Sequence, residues 1–441
     1  MADAETDMNV REIACRTLLK MSTSGGYSNL SLDAAIKKYE PDPRDRALLT
    51  QLVMGVIERQ VTLDYYISEL CSMDERKIEP EVRTILRLGL YQLAFTDKIP
   101  DHAAVSETVA LAPRRAAGFV NAMLRNYLRR RDSIKLPDKI VDPVGYVSVK
   151  YGFPQPVCTM FVRQFGVQKT EAIFDAMNKP PYLTLRVNTT KTTVDELLAR
   201  FSERGIDAKR TRLGHTGIIL SSMPLSELPG FDTGDFTVQD EASQLCTAAL
   251  DAKAGMKVID VCSAPGSKSF GAAMDMKNDG EILAFDLHES KLSLIRSGAE
   301  RMGLDIITAA PADGRAFNAE LEAWADRIIC DVPCSGFGVM AKKPEIRHKD
   351  PAESARLPEI QYDILCNCSK YLKRGGVLVY STCTPVFEEN DAVVDKFLAS
   401  HPEFSLQGFK AGDLDVSGGR ITLTPDEHGT DGFYIAKLYR S

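Results

Sequence analysis

A chain of 441 residues exceeds what one hydrophobic core serves, so about three domains are expected. Hydrophobic residues at 44% and charged residues at 26% exclude disordered and fibrous classes, and no apolar run approaches the ~20 residues of a membrane span. A net charge of -7 argues against a non-specific nucleic-acid binder.

The acidic start, MADAETDMNV, is unlike a secretory signal, so a cytoplasmic location is expected. Residues 8 to about 131 read as helical. Val10, Ile13, Ala14, Leu18 and Met21 keep the 3–4 spacing of an amphipathic helix, as do Val82, Ile85, Leu86, Leu90 and Leu93. Pro41, Pro43, Pro80 and Pro100 fall between these segments. An all-α domain over 1–135 follows. Prolines and glycines then thicken, which reads as a linker over 136–156.

From 157 to 236 the pattern mixes a short helix, a strand around 182–188, a helix from Thr193 to about Glu203 and short strands to Leu220. This is a small α+β domain. From 237 to 441, apolar runs alternate with helical stretches: KVIDVC, EILAFD, DIITAAPAD, DRIICDVPC and GVLVYSTC. Short buried runs separated by helices predict an α/β Rossmann-like domain with a mostly parallel sheet, and GFYIAKLYR (432–440) returns antiparallel.

Reactive residues collect at the predicted carboxyl ends of these strands, where α/β sheets bind ligands. The first strand runs into Asp260-Val-Cys-Ser-Ala-Pro-Gly-Ser-Lys268, and the next two end in Asp286 and Asp313. The fourth ends in Asp331-Val-Pro-Cys334 and the fifth in Ser381-Thr-Cys383. The first turn is neither G-x-G-x-x-G nor a P-loop, which would need glycine where Cys262 and Ser267 stand. A small-residue turn with an acid on the next strand suits a ribose-bearing cofactor without a pyrophosphate, and S-adenosylmethionine meets that description. A cysteine on such a rim suits covalent catalysis on cytosine, where thiolate addition to C6 makes C5 nucleophilic. Lys268 is the candidate for lowering a thiol pKa there. The ten cysteines include no C-x-x-C pair and the six histidines do not cluster near them, so no metal site is expected and most cysteines read as small buried hydrophobes.

Between Leu111 and Lys135, seven basic residues (Arg114, Arg115, Arg125, Arg129, Arg130, Arg131, Lys135) face one acid, Asp132. Such a run alone is more often a solvated helix face than a binding site.

Assembled, these stretches resemble the NOL1/NOP2/Sun family of RNA cytosine-5 methyltransferases over residues 10 to 440. RDRALLTQLVMGVIERQ, LRLGLYQLAF and FVNAMLRN resemble a NusB-like RNA-binding fold. TLRVNTTKTTVDELL resembles the family's small middle domain, and DVCSAPGSKS, CDVPCSGFGVM, STCT and DGFYIAKL its catalytic motifs. The resemblance implies cofactor binding by Cys262, Ser263, Ala264, Pro265, Gly266, Ser267, Lys268, Asp286, Asp313 and Asp331. It implies Cys383 as nucleophile, Cys334 as the residue that helps expel product, and Asp331 at the target base. The implied partner is RNA, 16S rRNA or an assembling small subunit, with no membrane and no metal. Beside a NusB-like fold, the basic run becomes a phosphate-contacting surface. Two readings stay open: a tRNA substrate, and an rRNA-binding assembly factor without catalysis. The turn departs from the family's D-x-C-A-A-P-G-G-K-T at Ser263, Ser267 and Ser269. If position 267 needs positive φ, serine there costs on the order of 1 kcal/mol.

Overall fold

The computed structural model describes residues 8–24 and 28–441, so the acidic first seven residues lie outside the described part. The chain forms two compact units. One comprises the described residues up to Asn178 together with Lys342–Pro351; the other comprises Lys179–Ala341 and Ala352–Ser441.

Among the described residues the first unit is helical: α1 (Val10–Ser24), α2 (Ser28–Tyr39), α3 (Pro43–Glu58), α4 (Gln60–Leu70), α5 (Pro80–Phe95), α6 (Asp101–Leu111), α7 (Ala117–Arg130), α8 (Pro143–Tyr151) and α9 (Gln155–Met177). Pro43 and Pro80 open α3 and α5, where a missing N–H costs nothing. Ile13, Leu52, Val56, Ile85, Leu86 and Leu124 fill one core.

The stretch 136–156 is not a plain linker. Asp142 caps α8 by accepting from the Gly145 N–H at 2.8 Å, with Pro143 as the first helical residue. Proline and glycine here start a helix instead of breaking the chain. Phe153 then stacks on Phe174 of α9, ring centroids 3.8 Å apart.

Lys342–Pro351, expected within the catalytic domain, also belongs to this first unit. Its Arg347 is fully buried over the Phe153 ring and donates to Asn178 Oδ1 at 2.7 Å and the Met177 carbonyl at 3.0 Å. A buried guanidinium so fully bonded is a strong anchor.

The second unit opens with an antiparallel sheet ordered β2-β3-β1-β4: β1 (Leu183–Val187), β2 (Ala208–Arg210), β3 (Gly217–Leu220) and β4 (Phe236–Val238). Helix α10 (Val194–Glu203) packs on it, closed by a capping box between Thr193 and Glu196. The larger sheet contains β5 (Lys257–Asp260), β6 (Glu281–Asp286), β7 (Ile307–Pro311), β8 (Ala325–Asp331), β9 (Leu372–Thr382), β10 (Phe404–Leu406), β13 (Arg420–Leu423) and β14 (Phe433–Arg440). The short hairpin β11 (Phe409–Ala411) and β12 (Leu414–Val416) stands apart. The main order is β10-β14-β9-β8-β5-β6-β7, with β13 on β14. Strands β5 to β9 pair in parallel and β14 is antiparallel to β9.

Alternate strand residues feed two separate cores. Val258, Ile329, Val377 and Val379 meet α11 (Glu241–Leu250), α12 (Ser267–Asp275) and α13 (Glu289–Met302). Ile259, Ile328, Leu378 and Tyr380 meet α14 (Leu357–Cys368) and α15 (Asp391–Ser400). Strands covered on both faces must be apolar throughout, which is why their sequences read as runs. A last short helix, α16 (Pro425–His428), precedes β14. No described helix is long and apolar enough to cross a membrane.

Candidate active site

Strand order reverses at β5, which lies between β6 and β8, and the reactive residues gather at that crevice. After Asp260 the chain turns through residues 261–266 into α12. Ser263 donates to the Phe285 carbonyl twice, from its N–H at 2.7 Å and its Oγ at 2.9 Å. The left-handed position of the turn is Gly266, φ 107°, where a Cβ would meet the Phe270 ring at 2.5 Å. Ser267 is the first helical residue of α12 and carries no positive φ. The strain expected of it therefore does not arise.

The two other departures make bonds of their own. Ser263 Oγ holds Phe285, and Ser269 Oγ donates to Asp260 Oδ2 at 2.6 Å. Asp260 is 0% exposed and its Oδ1 meets no hydrogen-bond partner among the described residues. Burial pushes its pKa up to about 7. Asp286, at the end of β6, faces the turn: its Oδ2 accepts from the Ala264 N–H at 3.3 Å and its Oδ1 from the His288 N–H at 3.0 Å. Asp313 follows β7 and takes a forked pair from Arg315 at 3.0 and 2.8 Å, which lowers its pKa.

Asp331 and Ser381 lie opposite each other in the β8–β9 ladder. Ser381 Oγ donates to Asp331 Oδ1 and Lys268 Nζ to Asp331 Oδ2, both at 2.6 Å. Burial works against the charge of Lys268, but the Asp331 carboxylate outweighs it and keeps the ammonium pKa above the ordinary lysine value. The lysine expected to activate a thiol thus has its ammonium on Asp331. A cation with 8% exposure needs that carboxylate partner.

The thiols stand three residues past Asp331 and two past Ser381. Cys334 Sγ and Cys383 Sγ are 2.9 Å apart, and both residues are half-buried. The loop after Cys334 is fastened to the turn at Cys383 through Gly338. Its N–H donates to the Cys383 carbonyl at 3.0 Å, and its own carbonyl accepts from the Gly432 N–H at 2.9 Å. A Cβ on Gly338 would lie 1.8 Å from the Gly432 oxygen, so only glycine fits. Contact with the Cys383 sulfur, then burial and the charges of Glu389 and Asp331, push the Cys334 thiol well above the ordinary cysteine value. Cys334 is therefore held toward its protonated thiol.

The remaining cysteines are mostly packing groups. Cys15, Cys158, Cys246, Cys330 and Cys368 are buried. The described residues hold no group of three or more His, Cys, Asp or Glu arranged to bind a metal. In the helical unit, all seven basic residues from Arg114 to Lys135 are exposed. Arg115 pairs with Glu79 at 2.7 Å and Arg131 with Asp101 at 3.5 Å, while Arg125 and Arg129 stand one turn apart on α7.

Family models match three consecutive parts of the chain. Residues 8–129 match the NusB family, 153–225 the ferredoxin-like domain of RsmF/B-like methyltransferases, and 247–439 the 16S rRNA methyltransferase RsmB/F family. The chain is 38% identical to a probable ribosomal RNA small subunit methyltransferase B of Bacillus subtilis, over 98% of each chain. The chain belongs to the RsmB/F family. A ribosomal RNA small subunit methyltransferase B of Pseudomonas putida is 33% identical over 98% of this chain and 99% of that protein. Among solved structures, a methyltransferase homologue from Pyrococcus horikoshii is 30% identical, with a TM-score of 0.59, covering 67% of this chain and 98% of its own.

Within this family's fold, sequence reasoning passed over Glu389 and Asn390, which are buried beside the two cysteine loops. The only signal was Glu-Glu-Asn at the head of a helix, which ordinarily reads as N-terminal charge matching the helix dipole.

The pKa of Asp260 makes stability depend on pH. A carboxyl raised from about 4 when unfolded to about 7 when folded contributes fully below about pH 4 and loses that contribution as pH rises through 7. Asp260→Asn cannot ionise. It should melt above the parent at about pH 8, with the gap closing towards about pH 4. Parallel melting curves for the two proteins across that range would contradict the assignment.

Proposed function

We propose that the protein transfers a methyl group from S-adenosylmethionine to C5 of a cytosine in RNA, through a covalent bond between Cys383 and C6. The carrying observation is the thiol pair: two cysteines just beyond the ends of neighbouring strands, 2.9 Å apart, with the Cys334 thiol pushed toward its protonated form. The relatives' names supply the substrate class, ribosomal RNA of the small subunit, and 16S rRNA is therefore the RNA we propose.

The residues present fit the cofactor. Asp286 is 7% exposed, its carboxylate faces the turn at Ala264, and Asp313 follows the neighbouring strand. Residues 262–268 and Asp286 would hold it, with Asp313 and Asp331 completing the rim. When bound, it supplies an electrophilic methyl on sulfur.

The chain's own groups perform the rest. Cytosine C5 is a poor nucleophile until a thiolate adds to C6. Cys383 forms that bond, and the electron pair of the C5–C6 double bond moves to C5, which takes the methyl. C5 then gives up its proton, the Cys383–C6 bond breaks and the double bond returns. Cys334, protonated and in contact with the departing sulfur, passes its proton to that sulfur and takes the C5 proton in exchange, so it ends protonated again. Asp331, fixed by Lys268 and Ser381, contacts the base. The base must leave its stack to reach these groups, and the exposed arginines of the helical unit bind the RNA backbone.

Two outcomes follow. Cys383→Ala should lose methylation and form no covalent RNA complex, whereas Cys334→Ala should form the bond but release slowly, leaving a protein–RNA band on a denaturing gel. The reverse pattern would exchange the two roles. Separately, replacing Arg125, Arg129 and Arg130 with alanine should flatten the slope of log affinity against log salt by about 2–3. Equal slopes in mutant and parent would return these arginines to a solvated face.

A further inference from the structure

Cys334 sits on a loop without regular structure, and a buried hydrogen-bond chain from Glu389 fixes that loop. Glu389 is 2% exposed, and its Oε2 accepts from the Ser335 N–H and from Gln361 Nε2, both at 2.9 Å. Gln361 Nε2 also donates to the Pro333 carbonyl at 2.9 Å. The residues before and after Cys334 are thus each tied to the Glu389–Gln361 pair.

Asn390 does the same for Cys383. It is 0% exposed; its Oδ1 accepts from Thr382 Oγ at 2.6 Å and its Nδ2 donates to the Thr384 carbonyl at 2.8 Å. Both anchors are consecutive residues at the head of α15. The Tyr380 hydroxyl, donating to the Glu389 carbonyl at 2.6 Å, fastens that point to β9. Ser335 Oγ donates to Thr384 Oγ at 3.0 Å and links the two loops directly.

Packing alone does not account for this arrangement. A carboxylate buried among neutral donors is costly, and an apolar residue of similar volume would hold a fold as well. Gln361 adds to that cost, because its Oε1 is buried without a hydrogen-bond partner among the described residues. What the arrangement provides is a fixed backbone on both sides of each thiol.

Resting on the covalent reading above, we infer that Glu389 and Asn390 are positioning residues with separable tasks. Glu389 holds Cys334 for product release, and Asn390 holds Cys383 for attack on C6. Each acts through its cysteine loop and neither touches the base.

The test compares the full-length parent with Glu389→Ala, Glu389→Gln and Asn390→Asp, reading methylated RNA and the denaturant-resistant protein–RNA species in the same reactions. Glu389→Ala should accumulate the covalent species about tenfold over the parent while turnover falls about tenfold. Glu389→Gln keeps an acceptor for Ser335 and should recover most of the release. Asn390→Asp loses the donor to Thr384, and its covalent species and product should fall together, about tenfold. Should Glu389→Ala fail to fold, Gln361→Met, which releases Pro333, is read in its place with the same expectation. The same pattern in the Glu389 and Asn390 variants, with species and product falling in proportion, would overturn the division of tasks. A parent that forms no covalent species even on 5-fluorocytosine RNA would instead overturn the covalent reading on which it rests.

Discussion

The register between β8 and β9 sets what the catalytic rim can be. Asp331 lies opposite Ser381, so the chain leaves the two strands at the same level and carries Cys334 and Cys383 to the same point. Parallel strands are about 4.8 Å apart, which is already near the reach of two thiols. A slip of one residue would turn one of them to the other face of the sheet. The pairing of the sulfurs is therefore a consequence of the apolar alternation that fixes β8 and β9 between two cores. Gly338 completes it, since a side chain there would drive the Cys334 loop away from the Cys383 backbone.

The same rim gathers charge that a buried site must balance. Lys268 and Asp331 neutralise one another, Asp313 is taken by Arg315, and Asp286 is held by backbone N–H groups of the turns beside it. Asp260 and Glu389 are different, because among the described residues no basic group is bonded to either carboxylate. For Asp260 the cost shows as a raised pKa; for Glu389 the negative charge helps to keep the proton on Cys334. The basic run in the helical unit is solvated, and three of its members stand exposed along one side of α7 and its end.

Much of this was legible in the sequence. Strands buried on both faces are continuous apolar runs, so EILAFD coincides with β6 and the others deviate only at their ends. The reactive residues were legible because each follows such a run. Three features were not. Pro143 signals a break until Asp142 is seen to cap a helix beginning there. Lys342–Pro351 carries no mark of its membership in the helical unit, because burial of Arg347 depends on groups far away in sequence, Met177 and Asn178. The contributions of Glu389, Asn390 and Gln361 come from hydrogen bonds across 6 to 54 positions, and no local pattern encodes them. The serine at 267 misled for a related reason: the turn places its left-handed residue one position earlier, at Gly266.

The proposed chemistry depends on one sulfur atom bonding to the base. RNA carrying 5-fluorocytosine at the target position arrests the reaction after methyl transfer, because C5 has no proton to lose. Digestion of the trapped complex and tandem mass spectrometry then identify the modified peptide. The nucleotide should be found on the peptide containing Cys383, with the Cys334 peptide unmodified. A nucleotide on Cys334, or an unmodified Cys383 peptide in a complex that has transferred methyl, would contradict the mechanism.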